Sequence, residues 1–195
     1  RIRQVRVIAG TARGVRLVAP KGLDVRPTLD RVRESLFNIL APRIEGARFL
    51  DLFAGTGAIG IEALSRGAAL CVFVESDRRS LDAIHRNIEA ARVGDRARIC
   101  RGTLPRDWNV IPCLSEKYDI AVADPPYAFL EYDGMFRGLT GHLKPGEAGV
   151  FVLEHSTRSE VVYPQEVMSL HRRVAYGEAA LSFFYLTHHV VSDTL

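Results

Sequence analysis

DLFAGTGAIG, residues 51–60, reads as a strand running into a glycine turn and out into a helix. Phe49, Leu50, Leu52 and Phe53 make the apolar approach. Gly55, Gly57 and Gly60 follow at Gly-x-Gly-x-x-Gly spacing, and IGIEAL continues at helical period. Glycines let the backbone come close to a bound molecule, and the helix N-terminus behind them presents unpaired N–H groups, so the turn suits a nucleotide-like ligand. Dinucleotide-binding and S-adenosylmethionine-binding folds share this geometry. The neighbours narrow the choice: Asp51 stands before the loop, and Glu75 closes the next apolar run, LCVFV at 70–74, where a ribose diol needs an acceptor.

Outward from the loop, strand and helix patterns alternate. FLDLF, AIGIEALSRG, LCVFVE, SLDAIHRNIEAARV, ARIC, YDIAVAD, a helical stretch around MFRGLTGHL, and GVFVLEH succeed one another. Such alternation implies an α/β fold with a parallel sheet covered on both faces. MSLHRRVAYG and ALSFFYL, separated by a short GEA turn signal, predict an antiparallel pair on the sheet edge, and the tail after Leu186 carries no strong pattern.

A second element stands about seventy residues downstream. The apolar run IAVA at 120–123 ends in Asp124, Pro125, Pro126 and Tyr127. Asp124 is therefore expected at the carboxyl end of a strand, above the crevice where open α/β sheets bind ligands. Two consecutive prolines fix the backbone and supply no N–H, which leaves the Pro125 carbonyl free to accept from an amine, while Tyr127 can stack on a base. An exocyclic amine has its lone pair delocalised into its ring. Two acceptors on its hydrogens favour a tetrahedral nitrogen, whose lone pair can attack a methyl sulfonium in line. Positioning of two reactants supplies about 7–11 kcal/mol, and a carboxylate about 4 Å from the developing cation adds ~4 kcal/mol at an effective dielectric near 20. Glycine loop and DPPY together point to methyl transfer onto a nucleobase amine. Guanine offers N1–H and the N2 amine as adjacent donors to an ionised Asp, a modest lean toward guanine over adenine.

The chain has 195 residues, 47% hydrophobic and 25% charged, enough for one ordinary core. Its net charge of +3 conceals an asymmetry. Residues 1–33 hold nine basic groups, Arg3, Arg6, Arg13, Arg16, Lys21, Arg26 and Arg31 among them, against Asp24 and Asp30; the remainder carries 17 basic and 21 acidic residues. VRVIAG and VRLVAP flank GTARG and predict a basic hairpin, followed by the looser KGLDVRP. A basic arm on an acidic body suits a polyanionic substrate. TLDRVRESLFNIL then places Val32, Leu36, Ile39 and Leu40 at helical spacing, with Thr28 as N-cap and Pro42 just beyond the end. The expected division is an arm over residues 1–27 and a catalytic unit over residues 28–195.

Cys71, Cys100 and Cys113 are too widely separated for a metal-binding pair and read as reduced core thiols, in keeping with a cytoplasmic protein. The six histidines form no ligand pattern, so no metal is expected. No apolar run reaches the ~18 residues of a membrane helix, and the arginine-studded start is unlike a secretory signal. Without a heptad seam, a monomer is expected.

VIAGTARGVRL, RPTLDRVRESLFNIL, DLFAGTGAIGIEALSRGA, FVESD, ADPPY and the closing YGEAALSFF resemble the RsmD family of bacterial small-subunit ribosomal RNA guanine-N2 methyltransferases over nearly the whole chain. The RPT-x-DRVRE string is the most specific part. The resemblance implies a Rossmann-like seven-stranded methyltransferase fold with a small N-terminal basic hairpin extension. It also implies S-adenosylmethionine as donor and a guanine of small-subunit (16S) ribosomal RNA, free or in the assembling subunit, as acceptor. It assigns Asp51, Phe53, Ala54, Gly55, Thr56 and Gly57 to the cofactor loop, Glu75 and Ser76 to the ribose, and Asp124, Pro125, Pro126 and Tyr127 to catalysis, with Arg26 and Thr28 bordering the pocket. Where related enzymes place an acid near the adenine amine, this chain has Arg101, Gly102 and Thr103, which leaves Thr103 or backbone groups for that contact. Arg3, Arg6, Arg13, Arg16, Lys21 and Arg31 are the candidate RNA-binding residues. The alternatives are an adenine-N6 methyltransferase acting on DNA or RNA, a noncatalytic RNA-binding protein that retains a relic methyltransferase fold although its loop acids and DPPY are intact, and, from another class, a nicotinamide-dependent oxidoreductase, which leaves DPPY and the basic arm unused.

Overall fold

Two-residue alternation in the central strands builds two apolar layers, one on each face of a sheet. The computed structural model describes residues 5–20, 27–111, 114, 116–126 and 128–187. Along the chain, β1 (Val5–Arg6) and β2 (Arg16–Leu17) precede α1 (Pro27–Ile44), β3 (Arg48–Leu52), α2 (Ala58–Ser65), β4 (Leu70–Glu75), α3 (Arg78–Ala91) and β5 (Ala97–Arg101). Then come β6 (Ile120–Ala123), α4 (Tyr132–Leu139), β7 (Gly146–Ser156), β8 (Met168–Tyr176) and β9 (Ala179–Leu186). Phe49, Cys71, Phe73, Ile120, Val122, Val150 and Val152 pack on the face covered by α1, α2 and α3. Their neighbours Leu50, Leu52, Val72, Val74, Ala121, Ala123, Phe151 and Leu153 pack on the other face with Phe136 and Leu139 of α4.

The seven-stranded sheet runs β5-β4-β3-β6-β7-β9-β8. β3 to β7 pair in parallel; β9 is antiparallel to β7, and β8 is antiparallel to β9 at the edge. This is the Rossmann-like α/β architecture with a seven-stranded sheet expected from the sequence, closing pair included. Strand order reverses between β3 and β6, so a crevice opens above their carboxyl ends.

Three local expectations are corrected. α1 begins at Pro27, a favoured first position because the missing N–H is unused there, so Thr28 lies within the first turn rather than at the N-cap. The helix also runs through Pro42 to Ile44 instead of ending before it. Proline removes one bond to the Asn38 carbonyl, but Asn38 is exposed and water can take that place, while Leu40 and Ile44 anchor the last turns in the core. Finally, Cys71 is a buried free thiol as expected, whereas Cys100 is disulfide-bonded.

The basic hairpin is docked on the body. β1 and β2 pair antiparallel, and Val5, Val7, Ala12 and Leu17 join the apolar layer of α1 and α2. Buried Glu62 of α2 accepts the Ile8 and Ala9 amides at 2.7 and 3.0 Å and pairs with Arg66 at 2.7 Å. Ser65 donates to the Ala9 carbonyl and accepts from the Ala12 amide. Among the described residues no helix is long and apolar enough to cross a membrane.

Candidate active site

The strand-to-helix turn after β3 is built from left-handed backbone. Phe53, Gly55 and Gly57 have φ of 60°, 55° and 74°. A bulky residue rarely adopts this conformation, and Phe53 is held in it by an edge contact with Phe129, ring centroids 5.1 Å apart. A Cβ on Gly55 would meet only the Phe53 carbonyl oxygen, at 3.9 Å, so the loop leaves room above its backbone. The turn is fixed from below: the Ala54 amide donates to the Val74 carbonyl and the Gly55 amide to Glu75 Oε2 at 2.8 Å. Glu75 Oε1 accepts the Ser76 and Asp77 amides, so both oxygens are oriented while each keeps acceptor capacity.

Asp51 is 2% exposed and accepts the Gly60 amide at 2.8 Å, which places a carboxyl at the N-terminus of α2. Burial raises its pKa well above the ordinary carboxylate range; the Gly60 bond opposes this, and the charges of Asp124 and Glu75 add to it.

Asp124 follows the last residue of β6, and Glu154 follows its in-register partner Leu153 on β7. Because Ala123 and Leu153 point to the α4 face, the next residues turn to the α1 face, the side on which Asp51 lies. All three carboxyls, with Asp30, Arg33 and Leu36 of α1, the hairpin's Val5, and Phe53, Ala54, Gly55 and Thr56, line one cleft of about 190 Å³. Asp124 is open to water through the cleft, but protein surrounds it otherwise, and this desolvation raises its pKa to about 6. Glu154 is raised to about 8, by burial first and then by the charge of Asp124. Arg33 is the cation among the described residues of the cleft, 7% exposed, donating to the Arg6 carbonyl at 2.6 Å and to Asp30 at 3.2 Å. Burial lowers its pKa, and Glu62 and Asp30 oppose that. Among the described residues no group donates to the Pro125 carbonyl, while the Pro126 carbonyl accepts the Phe129 amide at 2.8 Å.

The structure thus brings Asp51, Phe53, Ala54, Gly55, Thr56 and Asp124 to one cleft, with Gly57 capping α2 and Glu75 and Ser76 bordering the loop. Thr103 is exposed just past β5; its amide donates to Asp107 Oδ2 at 2.7 Å. Asp107 thereby supplies an acid near the end of β5 that local sequence order hides, since it lies four residues further on. Arg6, Arg13, Arg16 and Arg31 are exposed. Arg3, Lys21, Arg26 and Tyr127 lie outside the described residues, as does the side chain of Thr28. Sequence reasoning missed Arg33, Asp30, Leu36 and Glu154. The signal for Glu154 was its place as the acid ending the apolar run of the strand beside DPPY. Among the described residues no group of three or more His, Cys, Asp or Glu side chains could hold a metal ion.

A family model described as "Conserved hypothetical protein 95" matches residues 5–185. A Bacillus subtilis protein named "Putative rRNA methyltransferase YlbH" is 32% identical over 182 residues, covering 92% of this chain and 98% of that protein. The Escherichia coli "Ribosomal RNA small subunit methyltransferase D" is 42% identical over 127 residues, covering 64% of this chain and 61% of that protein. The chain belongs to the RsmD family. A solved structure titled "Putative methyltransferase yhhF from Escherichia coli" matches with a TM-score of 0.80 at 33% identity, over 94% of this chain and 98% of that one. The RsmD family is one of methyltransferases.

Proposed function

We propose that this chain transfers a methyl group from S-adenosylmethionine to the exocyclic N2 amine of one guanine in small-subunit (16S) ribosomal RNA, within free RNA or the assembling subunit. The observation that carries the reading is Asp124: a carboxyl at the switch point of the sheet, in the same cleft as the glycine loop, followed by a Pro125 carbonyl with no donor among the described residues. Asp124 and that carbonyl are two acceptors at one strand end, the pair an amine needs to become pyramidal.

The donor set fits the cofactor. S-adenosylmethionine supplies an electrophilic methyl on a sulfonium when bound. Its net positive charge suits the ionised Asp124 of a cleft in which Arg33, the cation among its described residues, is already paired with Asp30. A dinucleotide would instead bring a dianionic pyrophosphate to the same acids. The room above Gly55, where an added Cβ would touch only the Phe53 carbonyl oxygen, allows close approach, and Glu75 is oriented to accept from a ribose diol. Thr103 and Asp107 are the candidates for the adenine amine.

Asp124 accepts from the target amine and stabilises the cation that develops as nitrogen attacks. Pro126 stiffens the turn, and Tyr127 stacks on the base. A base inside folded RNA must be exposed before it can enter, so the target is a loop nucleotide or a flipped one. Residues 1–27 act as the RNA-binding arm of a catalytic unit spanning residues 28–195, with Arg3, Arg6, Arg13, Arg16, Lys21 and Arg31 on phosphates, and Arg26 and Thr28 at the pocket edge. The test is methyl transfer from labelled S-adenosylmethionine to unmodified small-subunit RNA and to small subunits, followed by nucleoside mass analysis. N2-methylguanosine at one site supports the reading; N6-methyladenosine overturns it in favour of an adenine-N6 enzyme.

A further inference from the structure

Glu154 has no part in the mechanism above, yet it lines the same cleft as Asp124. Ala123 and Leu153 are paired in parallel register, so the residues that follow, Asp124 and Glu154, leave adjacent strands at the same level and toward the same face. Neighbouring strands are spaced ~4.8 Å apart. Two carboxyls so placed in a cleft walled by Leu36, Phe53 and Ala58 cannot both ionise freely, and they share a proton across the middle of the pH range. The other charged groups on the cleft wall are Asp51 from β3 and Asp30 and Arg33 from α1, and Arg33 is already engaged with Asp30 and the Arg6 carbonyl. The charge of Asp124 raises Glu154, which rises further than Asp124, so the proton rests on Glu154 and the charge on Asp124.

An acceptor beside a donor is the complement of one edge of guanine. The Watson–Crick edge of that base presents O6 as an acceptor, then N1–H and the N2 amine as donors. Adenine presents the reverse order, an amine donor beside an N1 acceptor. Resting on the guanine-N2 reading, we infer that Glu154 is the residue that selects the base: its protonated carboxyl donates to O6 while Asp124 accepts from N1–H and the amine. No covalent step is added, and Glu154 keeps its proton throughout.

Polar readout of this kind discriminates strongly, because a base lacking the matched group leaves a buried partner unpaired. The experiment begins by mapping the modified nucleotide by nucleoside analysis, then compares transfer to RNA carrying guanine or 2-aminopurine at that position. The latter keeps the N2 amine but lacks both O6 and the N1–H, so the share that belongs to Glu154 is read from how the preference changes in variants that all retain Asp124. Wild type is expected to prefer guanine by at least a hundredfold. Glu154→Ala is expected to lower that preference at least tenfold, with S-adenosylmethionine affinity as the check on folding. Glu154→Gln, which retains N–H donors, is expected to keep the preference within threefold of wild type and to continue turning over above pH 8, where wild type declines as Glu154 ionises. An Ala variant with the wild-type preference overturns the inference, as does a Gln variant whose preference falls to the Ala value. A product other than N2-methylguanosine at the mapping stage is the separate failure of the underlying reading.

Discussion

Asn87 and Val18 exchange two hydrogen bonds: the Val18 amide donates to Oδ1 at 2.7 Å, and Nδ2 donates to the Val18 carbonyl at 2.9 Å. Nδ2 also donates to the Thr56 carbonyl at 2.8 Å. One buried amide on α3 therefore ties the end of the basic hairpin to the glycine loop. Asn87→Ala leaves an N–H and two carbonyls to find other partners, and each such group left unpaired costs about 1–3 kcal/mol. The expected outcome is a fall in stability of about 2 kcal/mol or more in urea unfolding, with a several-fold loss of S-adenosylmethionine affinity by calorimetry as the loop loses its tie. A variant with unchanged midpoint and affinity would show that the loop is held from elsewhere.

Docking of the hairpin also rests on one glycine. Gly10 has φ of 81°, and an added Cβ would stand 1.8 Å from the Ser65 carbonyl oxygen, which accepts the Thr11 amide. Gly14 shares the left-handed backbone, φ 84°, but faces open space. Gly14→Ala should therefore carry only the backbone cost, about 1–2 kcal/mol, whereas Gly10→Ala adds a steric clash and should roughly double the loss. Equal midpoints for the two variants would mean that the hairpin does not depend on this close approach.

The periodicity of residues 49–156 was enough to read the parallel sheet, because burial on both faces forces near-continuous apolar runs that carry Asp51, Glu75 and Asp124 at or near their carboxyl ends, where chemistry collects. The closing antiparallel pair was legible for a similar reason, its two runs being parted by a turn signal. What could not be read was lateral. Glu154 becomes a neighbour of Asp124 only through the β6 to β7 register, and Arg33 meets the cleft only through the packing of α1. Charge and hairpin pattern suggested an arm; that Glu62, Ser65 and Asn87 hold it depends on partners more than fifty residues away in sequence. Pro42 misled because local propensity argues against a helix there, and the buried side chains on either side override it.

Asp124 must be ionised to accept from the amine, and its pKa stands at about 6. Transfer is expected to fall about tenfold per unit as pH drops below that value. Asp124→Asn should lower turnover on the order of a hundredfold while S-adenosylmethionine still binds. Stability moves the opposite way. The folded pKa lies above the unfolded value of roughly 4, so between about 4 and 6 the folded state holds a proton that the unfolded state has released, and stability declines as pH rises across that window. The Asn variant should flatten that decline in thermal melts. A pH profile for transfer that stays flat down to pH 5 would remove Asp124 from the proposed role.

Arg6, Arg13 and Arg16 are exposed on the hairpin and form no ion pair among the described residues, so their charge is available to a partner. Each phosphate neutralised releases counterions, and log affinity then falls with log salt by about 0.7–0.9 per contact. Replacing all three with Glu should weaken RNA binding by at least a hundredfold at low salt and reduce the slope by about two to three. Their side chains make none of the bonds that dock the hairpin, since Arg6 contributes only its carbonyl to Arg33, so melting temperature and S-adenosylmethionine affinity should stay near wild type. Filter-binding across a salt series separates the outcomes. A lowered affinity with an unchanged slope would mean the substitutions disturbed the arm rather than removed phosphate contacts, and an unchanged affinity would place the RNA on another face.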